Sequence, residues 1–422
     1  LKRKWRNTLA SFELKDEQKK ALKFILDNPR SGLFMQTGTG KTLTSLVYAK
    51  IIGEPFLVVA PAYIIRHQIW HKENNKFKLG VDISSDYKMP SPEITMISYD
   101  TVKNTPEILD DYDNIILEEA HCIADTKTIR WKNLHKRIRK KKRVVLLAGY
   151  PVENHLHEIY VVSLVTDVLG HNYANFLSAF FNVVYHPKHK HQIIKAIPKR
   201  GSVDRIVELI KPHVFVSNKD LFFDSPIKKE NMIIRYELSD YQKNMINELS
   251  ENYTYVDDRV TIHCKNDLVV YGKIMQIVSG FVYETDDDKF LHPKAFVENP
   301  KLKLLDSIVK NKRDFLLWYN FDYELEMVKK YGDRCRLSKL QTDSRGLNLQ
   351  QYKFAVYFTL PLSGGQFLQS VDRLHRIGRT EDVLSIILLP NGEFGDRMYK
   401  MTREKSGLTR KFIRDLLHTR VV

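Results

Sequence analysis

Gly38-Thr39-Gly40-Lys41-Thr42 is the stretch of the chain best suited to hold a phosphate group. Two glycines one residue apart let the backbone turn tightly enough for successive N–H groups to converge on one point. The apolar run Leu33-Phe34-Met35 leads into this turn, and Leu43-Thr44-Ser45-Leu46-Val47-Tyr48-Ala49 leaves it with helical character. Strand, loop and helix in that order bring the positive end of a helix to the same point. In this setting Thr37, Gly38, Thr39 and Gly40 cradle a nucleoside triphosphate. Lys41 reaches its β- and γ-phosphates, and the Thr42 hydroxyl is a Mg²⁺ ligand. Met35 stands where the full G-x-x-x-x-G-K-[ST] pattern has its first glycine. Gln18, shortly before the loop, is either a surface residue or a reader of the adenine edge through its amide donor and acceptor.

A second constellation is Glu118-Glu119-Ala120-His121, directly after the apolar run Asn114-Ile115-Ile116-Leu117. At the end of a buried strand, one carboxylate can hold Mg²⁺ while its neighbour orients or deprotonates an attacking water. Away from a phosphate loop, two adjacent acids are more often a solvated turn.

These groups need a scaffold that brings strand ends together. Phe56–Ala60, Ile94–Tyr99 and Val144–Ala148 are further short apolar runs separated by helical segments. That alternation predicts a parallel α/β sheet with ligands at the carboxyl ends of its strands. A second set of strands, Phe315–Tyr319, Phe354–Phe358 and Val383–Leu389, predicts a second α/β unit. With 422 residues the chain has room for two or three domains. The boundaries expected are 1–154 for a first nucleotide-binding lobe, 155–225 for a mainly helical extension and linker, and 226–422 for the second lobe. Ile233–Leu238 reads as an edge strand and Ser239 as the N-cap of the next helix. Within 253–273, two β-branched runs flank Lys265-Asn266-Asp267 and predict a β-hairpin, either a surface decoration or a wedge against nucleic acid. Leu408–Leu417 reads as a basic amphipathic helix lying on the second lobe.

Charge narrows the partner. The chain carries 67 Lys+Arg against 51 Asp+Glu, a formal net charge of +16, which favours a polyanion, above all nucleic acid. The basic run Lys136–Arg143 either adds to that field or is a solvated helix face. No apolar stretch approaches a membrane span and no secretory pattern opens the sequence, so a cytoplasmic protein with no membrane partner is expected. Cys122, Cys264 and Cys335 lie far apart, as reduced thiols do, without metal-type spacing. His186, His189 and His191 read as solvated or phosphate-facing, since no acidic or cysteine partner lies nearby.

Three motifs together resemble the superfamily 2 helicases. Gln36–Thr42, Glu118–His121 and Ala148-Gly149-Tyr150-Pro151-Val152-Glu153-Asn154 follow the order of that group's motifs I, II and III. The third is similar to the L-T-G-T-P-x-x-N of Swi/Snf-type motors. Gln369-Ser370-Val371-Asp372-Arg373-Leu374-His375-Arg376-Ile377-Gly378-Arg379 resembles their Q-A-x-x-R-x-H-R-I-G-Q. The overall likeness is to compact phage-encoded Swi/Snf-like helicases that act on forked and branched DNA.

The resemblance implies two RecA-like lobes closing on ATP. Lys41, Thr42, Glu118 and Glu119 come from the first lobe and Arg373 and Arg376 from the second, with Gly346 of motif V at the nucleotide. Arg379 is a weaker candidate, because the family has glutamine there. Nucleic-acid contacts are expected from Arg66 and His67, from Ser98 and Tyr99, and from Ser344 and Arg345. The implied function is an ATP hydrolase that translocates on duplex, forked or branched DNA as a monomer, alongside other replication or recombination proteins. An RNA helicase and a nonmotor nucleotide-dependent switch are the alternatives. Glu118 replaces the family's aspartate, and Ala148 and Tyr150 replace two threonines of motif III, so turnover and coupling are the properties these departures touch.

Overall fold

The computed structural model describes residues 13–88, 93–185, 193–217, 228–285, 291–344, 349–361, 363–375 and 379–418. The fold is α/β and is built on two parallel sheets. Strands β1 (Arg30–Met35), β2 (Phe56–Ala60), β3 (Ile83–Ser84), β4 (Ile94–Ser98), β5 (Asn114–Glu118) and β6 (Arg143–Ala148) belong to the first. The antiparallel hairpin β7 (Phe181–Tyr185) and β8 (Ile193–Pro198) follows, and then β9 (Val214–Ser217) returns to the sheet. Its order is β3-β4-β2-β5-β6-β1-β9, all parallel.

Alternation along these strands explains why both faces are covered. Leu33, Met35, Val58, Ile116 and Val145 enter one apolar cluster, while Phe34, Leu57, Val59, Leu117 and Leu146 enter the other. Successive side chains of a strand point to opposite faces, so a run of apolar residues fills two cores at once. Residues 155–225 are expected to be mainly helical, and the described part of them is mixed. Helices Tyr173–Phe180 and Ser202–Ile210 are joined through the β7–β8 hairpin, and β9 pairs with β1.

The second sheet is β10 (Lys229–Tyr236), β15 (Phe315–Tyr319), β16 (Cys335–Lys339), β17 (Phe354–Tyr357) and β18 (Val383–Pro390), in the order β10-β18-β17-β15-β16. β10 is an edge strand as expected, and Ser239 Oγ caps the following helix by accepting from Gln242 N. Two short hairpins, β11 (Thr254–Val256) with β12 (Thr261–His263), and β13 (Phe281–Thr285) with β14 (Leu291–Ala295), decorate it. The hairpin expected over 253–273 is therefore confined to 254–263. Its second half, Asp267–Val278, is a helix. Asn266 caps that helix by accepting from Val269 N, and Asp267 in the first turn favours its positive end, which outweighs the β-branched Val269 and Val270. Tyr255, Val260 and Ile262 of the hairpin are buried in the core of the second lobe.

The last helix, Glu393–His418, corrects a further expectation. It packs on helix Gly364–Leu374 and on β18, then continues across to the first lobe, where Phe412 is buried in the core cluster with Val214 and Ile206. Among the described residues no helix is long and apolar enough to cross a membrane. No disulfide joins the three cysteines.

The basic run Lys136–Arg143 is a paired face. Arg137 meets Glu107 and Asp110, Arg139 meets Asp167, and Lys142 and Arg143 meet Glu54. The run leads into the amino-terminal end of β6, opposite the strand ends that carry the phosphate loop.

Candidate active site between the two lobes

The phosphate loop links β1 to helix Lys41–Ile52, whose N-cap is Gly40 in the left-handed region at φ 95°. No side chain caps this helix, so its first N–H groups are left to a ligand. A Cβ on Gly40 would lie 2.2 Å from Gln18 Nε2, so backbone angle and packing both demand glycine there. Gln18 is 7% exposed. Its Nε2 donates to the Thr39 carbonyl at 2.9 Å, and its Oε1 accepts from Lys15 N at 3.0 Å. Its amide therefore braces the loop at the edge of the cleft that Gln18 also lines. Thr39 Oγ1 closes the loop on the Gln36 carbonyl at 2.7 Å. Lys41 is buried, and its Nζ donates to the Met35 carbonyl at 2.9 Å.

Glu118 ends β5 and Glu119 follows at φ 51°, a left-handed conformation that costs a non-glycine residue about 1–2 kcal/mol. Both are buried. Burial first, and then Glu119, pushes the Glu118 carboxyl up to about 8, against the pull of Lys41, the Trp70 indole and His121. Glu118 Oε2 is buried without a hydrogen-bond partner. Thr42 and Glu118 line the same cleft, and a divalent cation would fit such hard oxygen donors, its charge offsetting the cost of burying the carboxylate. His121 lies beside Glu119, with Nδ1 3.4 Å from Oε2, and its Nε2 is 3.2 Å from Glu153 Oε1.

Gly149, after β6, approaches the phosphate loop so closely that a Cβ would stand 3.0 Å from Thr37 Oγ1 and 3.7 Å from Lys41 Nζ. Arg373, on helix Gly364–Leu374, is 2% exposed and donates from Nε to the Ser344 carbonyl at 2.7 Å. A cleft of about 440 Å³ is lined by Gln18, Thr37, Gly38, Gly40, Lys41, Thr42, Glu118 and Glu119 from one side and by Gln350 and Arg373 from the other. Tyr63, Glu73 and Phe77 extend its wall.

Several expected residues have other places. Tyr99 is 2% exposed, and its hydroxyl donates to the Glu118 carbonyl at 2.9 Å, so its polar group turns inward and supports the carboxylate pair from within. Ser98 Oγ caps helix Tyr99–Asn104 by accepting from Thr101 N. Ser344 is fully buried and serves through its carbonyl. Arg66 is exposed and His67 half-buried at the end of a short helix after β2. Arg379 donates to the carbonyls of Gln350, Tyr352, Lys353, Glu381 and Asp382, which makes it a loop clamp. Arg345, Gly346, Arg376, His186, His189 and His191 lie outside the described residues.

The sequence tied Tyr150 to coupling but gave no partner for it or for Glu153, Gln369 and Asp372, which hydrogen-bond one lobe to the other. Tyr150 Oη donates to Asp372 Oδ2 at 2.7 Å, and Gln369 Nε2 donates to Glu153 Oε1 at 3.0 Å. Their only signal was membership of motifs III and VI, since pairing between distant segments is not visible in one sequence.

A phosphate loop, a carboxylate pair and an arginine from a helix of the second lobe define a two-lobed nucleotide-binding protein. The SNF2-related domain family matches residues 17–279, and the chain belongs to that family. It is 23% identical over 447 residues to the CHD3-type chromatin-remodeling factor CHR7 of Arabidopsis thaliana, covering 88% of this chain and 34% of that one. It is 22% identical over 422 residues to the DNA annealing helicase and endonuclease ZRANB3 of Mus musculus, covering 89% and 38%. The chain thus spans about a third of the length of these relatives. Among solved structures, the Sulfolobus solfataricus SWI2/SNF2 ATPase core in complex with dsDNA aligns over 97% of this chain and 98% of that one, at 16% identity and a TM-score of 0.46.

Proposed function

We propose that the chain is an ATP-dependent DNA translocase, hydrolysing ATP between two lobes, 1–225 and 226–422, and moving on duplex, forked or branched DNA. The observation that carries this reading is the shared cleft, in which Lys41 and the Glu118–Glu119 pair stand on one wall and Arg373 on the other.

On ATP binding, Lys41 exchanges the Met35 carbonyl for phosphate oxygens, and the uncapped N–H groups of helix Lys41–Ile52 hold the same phosphates. Thr42 and Glu118 would hold Mg²⁺, which neutralises charge on the transferring group. Glu119, placed by its left-handed backbone, orients the attacking water and receives its proton, and His121 keeps the carboxylate aimed. Arg373 meets the charge that develops on the γ-phosphoryl group, a role that suits a planar, always-charged donor. Hydrolysis removes the group that both lobes grip, so the cleft reopens and the nucleic-acid path shifts. Arg66, His67 and Arg345 serve that path with phosphate contacts independent of sequence. A net charge of +16 supplies the attraction, and salt should weaken binding steeply.

The test is ATP hydrolysis with linear duplex, forked DNA, a four-way junction or duplex RNA added. DNA should raise the rate and RNA should not, and Lys41→Ala should abolish turnover. Equal activation by RNA, or a Lys41→Ala protein at the parent rate, would overturn the reading.

A further inference from the structure

We infer that Tyr150 is a positioning residue for hydrolysis. Its hydroxyl, held on Asp372 across the lobes, sets the rotation of helix Gly364–Leu374 and thereby aims Arg373 into the cleft before nucleotide arrives. The inference rests on the hydrolytic reading above.

Tyr150 and Asp372 are 3% and 2% exposed, and the 2.7 Å hydrogen bond between them is charge-assisted, since a hydroxyl donates to a carboxylate away from water. The Tyr150 ring packs on Leu368 of the same helix and on Val216 of β9. Asp372 Oδ1 also lies 3.7 Å from Lys229 Nζ on β10. One carboxylate thus ties the loop after β6, the first strand of the second sheet and the helix that carries Arg373.

A second contact stands one turn earlier. Gln369 donates to Glu153 Oε1, and Gly365 N donates to the Glu153 carbonyl at 3.2 Å. A Cβ on Gly365 would lie 2.6 Å from Glu153 Cγ, so helix and loop touch there without a spacer. Residues 365, 368, 369 and 372 share one face of a helix. Phe367, Val371 and Leu374 on the opposite face pack into the second lobe's own core, and a loop that meets the near face at two levels completes the hold on the helix's height and roll. Arg373, next after Asp372, projects about 100° further round the helix. The roll therefore decides whether its guanidinium faces the cleft, and the Ser344 carbonyl holds Nε once it does.

The residue type matters here. The motif that this loop resembles has threonine at position 150, whose hydroxyl sits on Cβ and is too short to cross the gap. Tyrosine carries its hydroxyl at the far end of a rigid ring. A misplacement near 1 Å at a catalytic group costs up to about 100-fold in rate. ATP binding, carried by the first lobe, should change little.

Tyr150→Phe keeps the buried ring and removes only the donor. With saturating duplex DNA, Tyr150→Phe and Asp372→Asn should each lower kcat about 10- to 100-fold and leave KM for ATP within about twofold. The double variant should be no worse than the weaker single one. A second measurement needs no catalysis. Spin labels at Ile129→Cys and Val256→Cys, 54% and 60% exposed on the two lobes, with Cys122 and Cys264 replaced by serine, report the distance between lobes without nucleotide. The parent should give one narrow distance, and Tyr150→Phe should broaden it. If Tyr150→Phe matches an active parent in kcat, or the two losses multiply, the role of Tyr150 falls while the hydrolytic reading stands. If the parent shows the narrow distance but hydrolyses no ATP, the hydrolytic reading falls and takes this role with it.

Discussion

Lys41, from the phosphate loop of the first lobe, and Arg373, from a helix of the second, line the same cleft. Neither is exposed, and each is held by a backbone carbonyl, that of Met35 for Lys41 and that of Ser344 for Arg373. Both cations therefore wait at the site already desolvated. A phosphate chain entering between them offers Lys41 a charged acceptor in place of a neutral one and meets the remaining N–H groups of Arg373 while Ser344 keeps Nε.

Arg379 and Arg373 should separate cleanly. Arg379 spends its guanidinium on five backbone carbonyls. Arg379→Ala should lower stability in urea by about 2–3 kcal/mol, the scale for losing charged hydrogen bonds that leave acceptors unpaired. The kcat per folded molecule should stay near the parent value.

Gly149→Ala should act on the nucleotide alone. Its methyl would press on Thr37 Oγ1 beside Lys41 Nζ. We expect kcat/KM for ATP to fall about tenfold, or about 1.4 kcal/mol, while DNA affinity without nucleotide is unchanged in a filter-binding assay.

Tyr99→Phe should likewise leave DNA affinity unchanged, because Tyr99 is buried and its hydroxyl serves the Glu118 carbonyl. Removing that donor should cost about 1–2 kcal/mol of stability and slow hydrolysis. A lowered DNA affinity with normal hydrolysis would return Tyr99 to the nucleic-acid path.

Lys301 offers a stability test at a residue that does not line the cleft. It is 1% exposed, donates to Ser279 and Thr359 and lies over the Phe358 ring. Burial pulls its pKa down to about 8, with Glu324 opposing. Because the folded value lies below the unfolded one, this group's contribution is complete above about 10.4 and is lost as pH falls through about 8. Lys301→Met removes the charge that offsets Glu324 and the donor to Ser279 and Thr359, and should destabilise by about 3 kcal/mol in urea at pH 7. Lys301→Met combined with Glu324→Gln should recover part of that loss.

Much of this architecture was legible because its signals are local. β2 and β15 are unbroken apolar runs, β5 has the apolar centre Ile115-Ile116-Leu117, and each strand is buried along its whole length. The phosphate loop and the carboxylate pair stand where strand ends put them. The return strand expected after Asp267 was misread because the β-branched run was weighed above the Asn266 cap, and capping with packing decided the matter. β16, with the alternating polar sequence Cys335-Arg336-Leu337-Ser338-Lys339, gave too weak an apolar signal for an edge strand. Tyr99 and Ser344 were legible as polar residues near strand ends, but only packing shows that their polar groups turn inward. The bonds Tyr150–Asp372 and Gln369–Glu153 join segments more than two hundred residues apart, beyond the reach of any local rule.

The most direct test of a hydrolytic site shared by both lobes is the single-turnover rate of ATP hydrolysis by Arg373→Ala on duplex DNA, with nucleotide affinity measured on the same protein. The account predicts a loss of about 10³- to 10⁵-fold in rate while ATP still binds. Hydrolysis at the parent rate by Arg373→Ala would place the chemistry in the first lobe alone and contradict it.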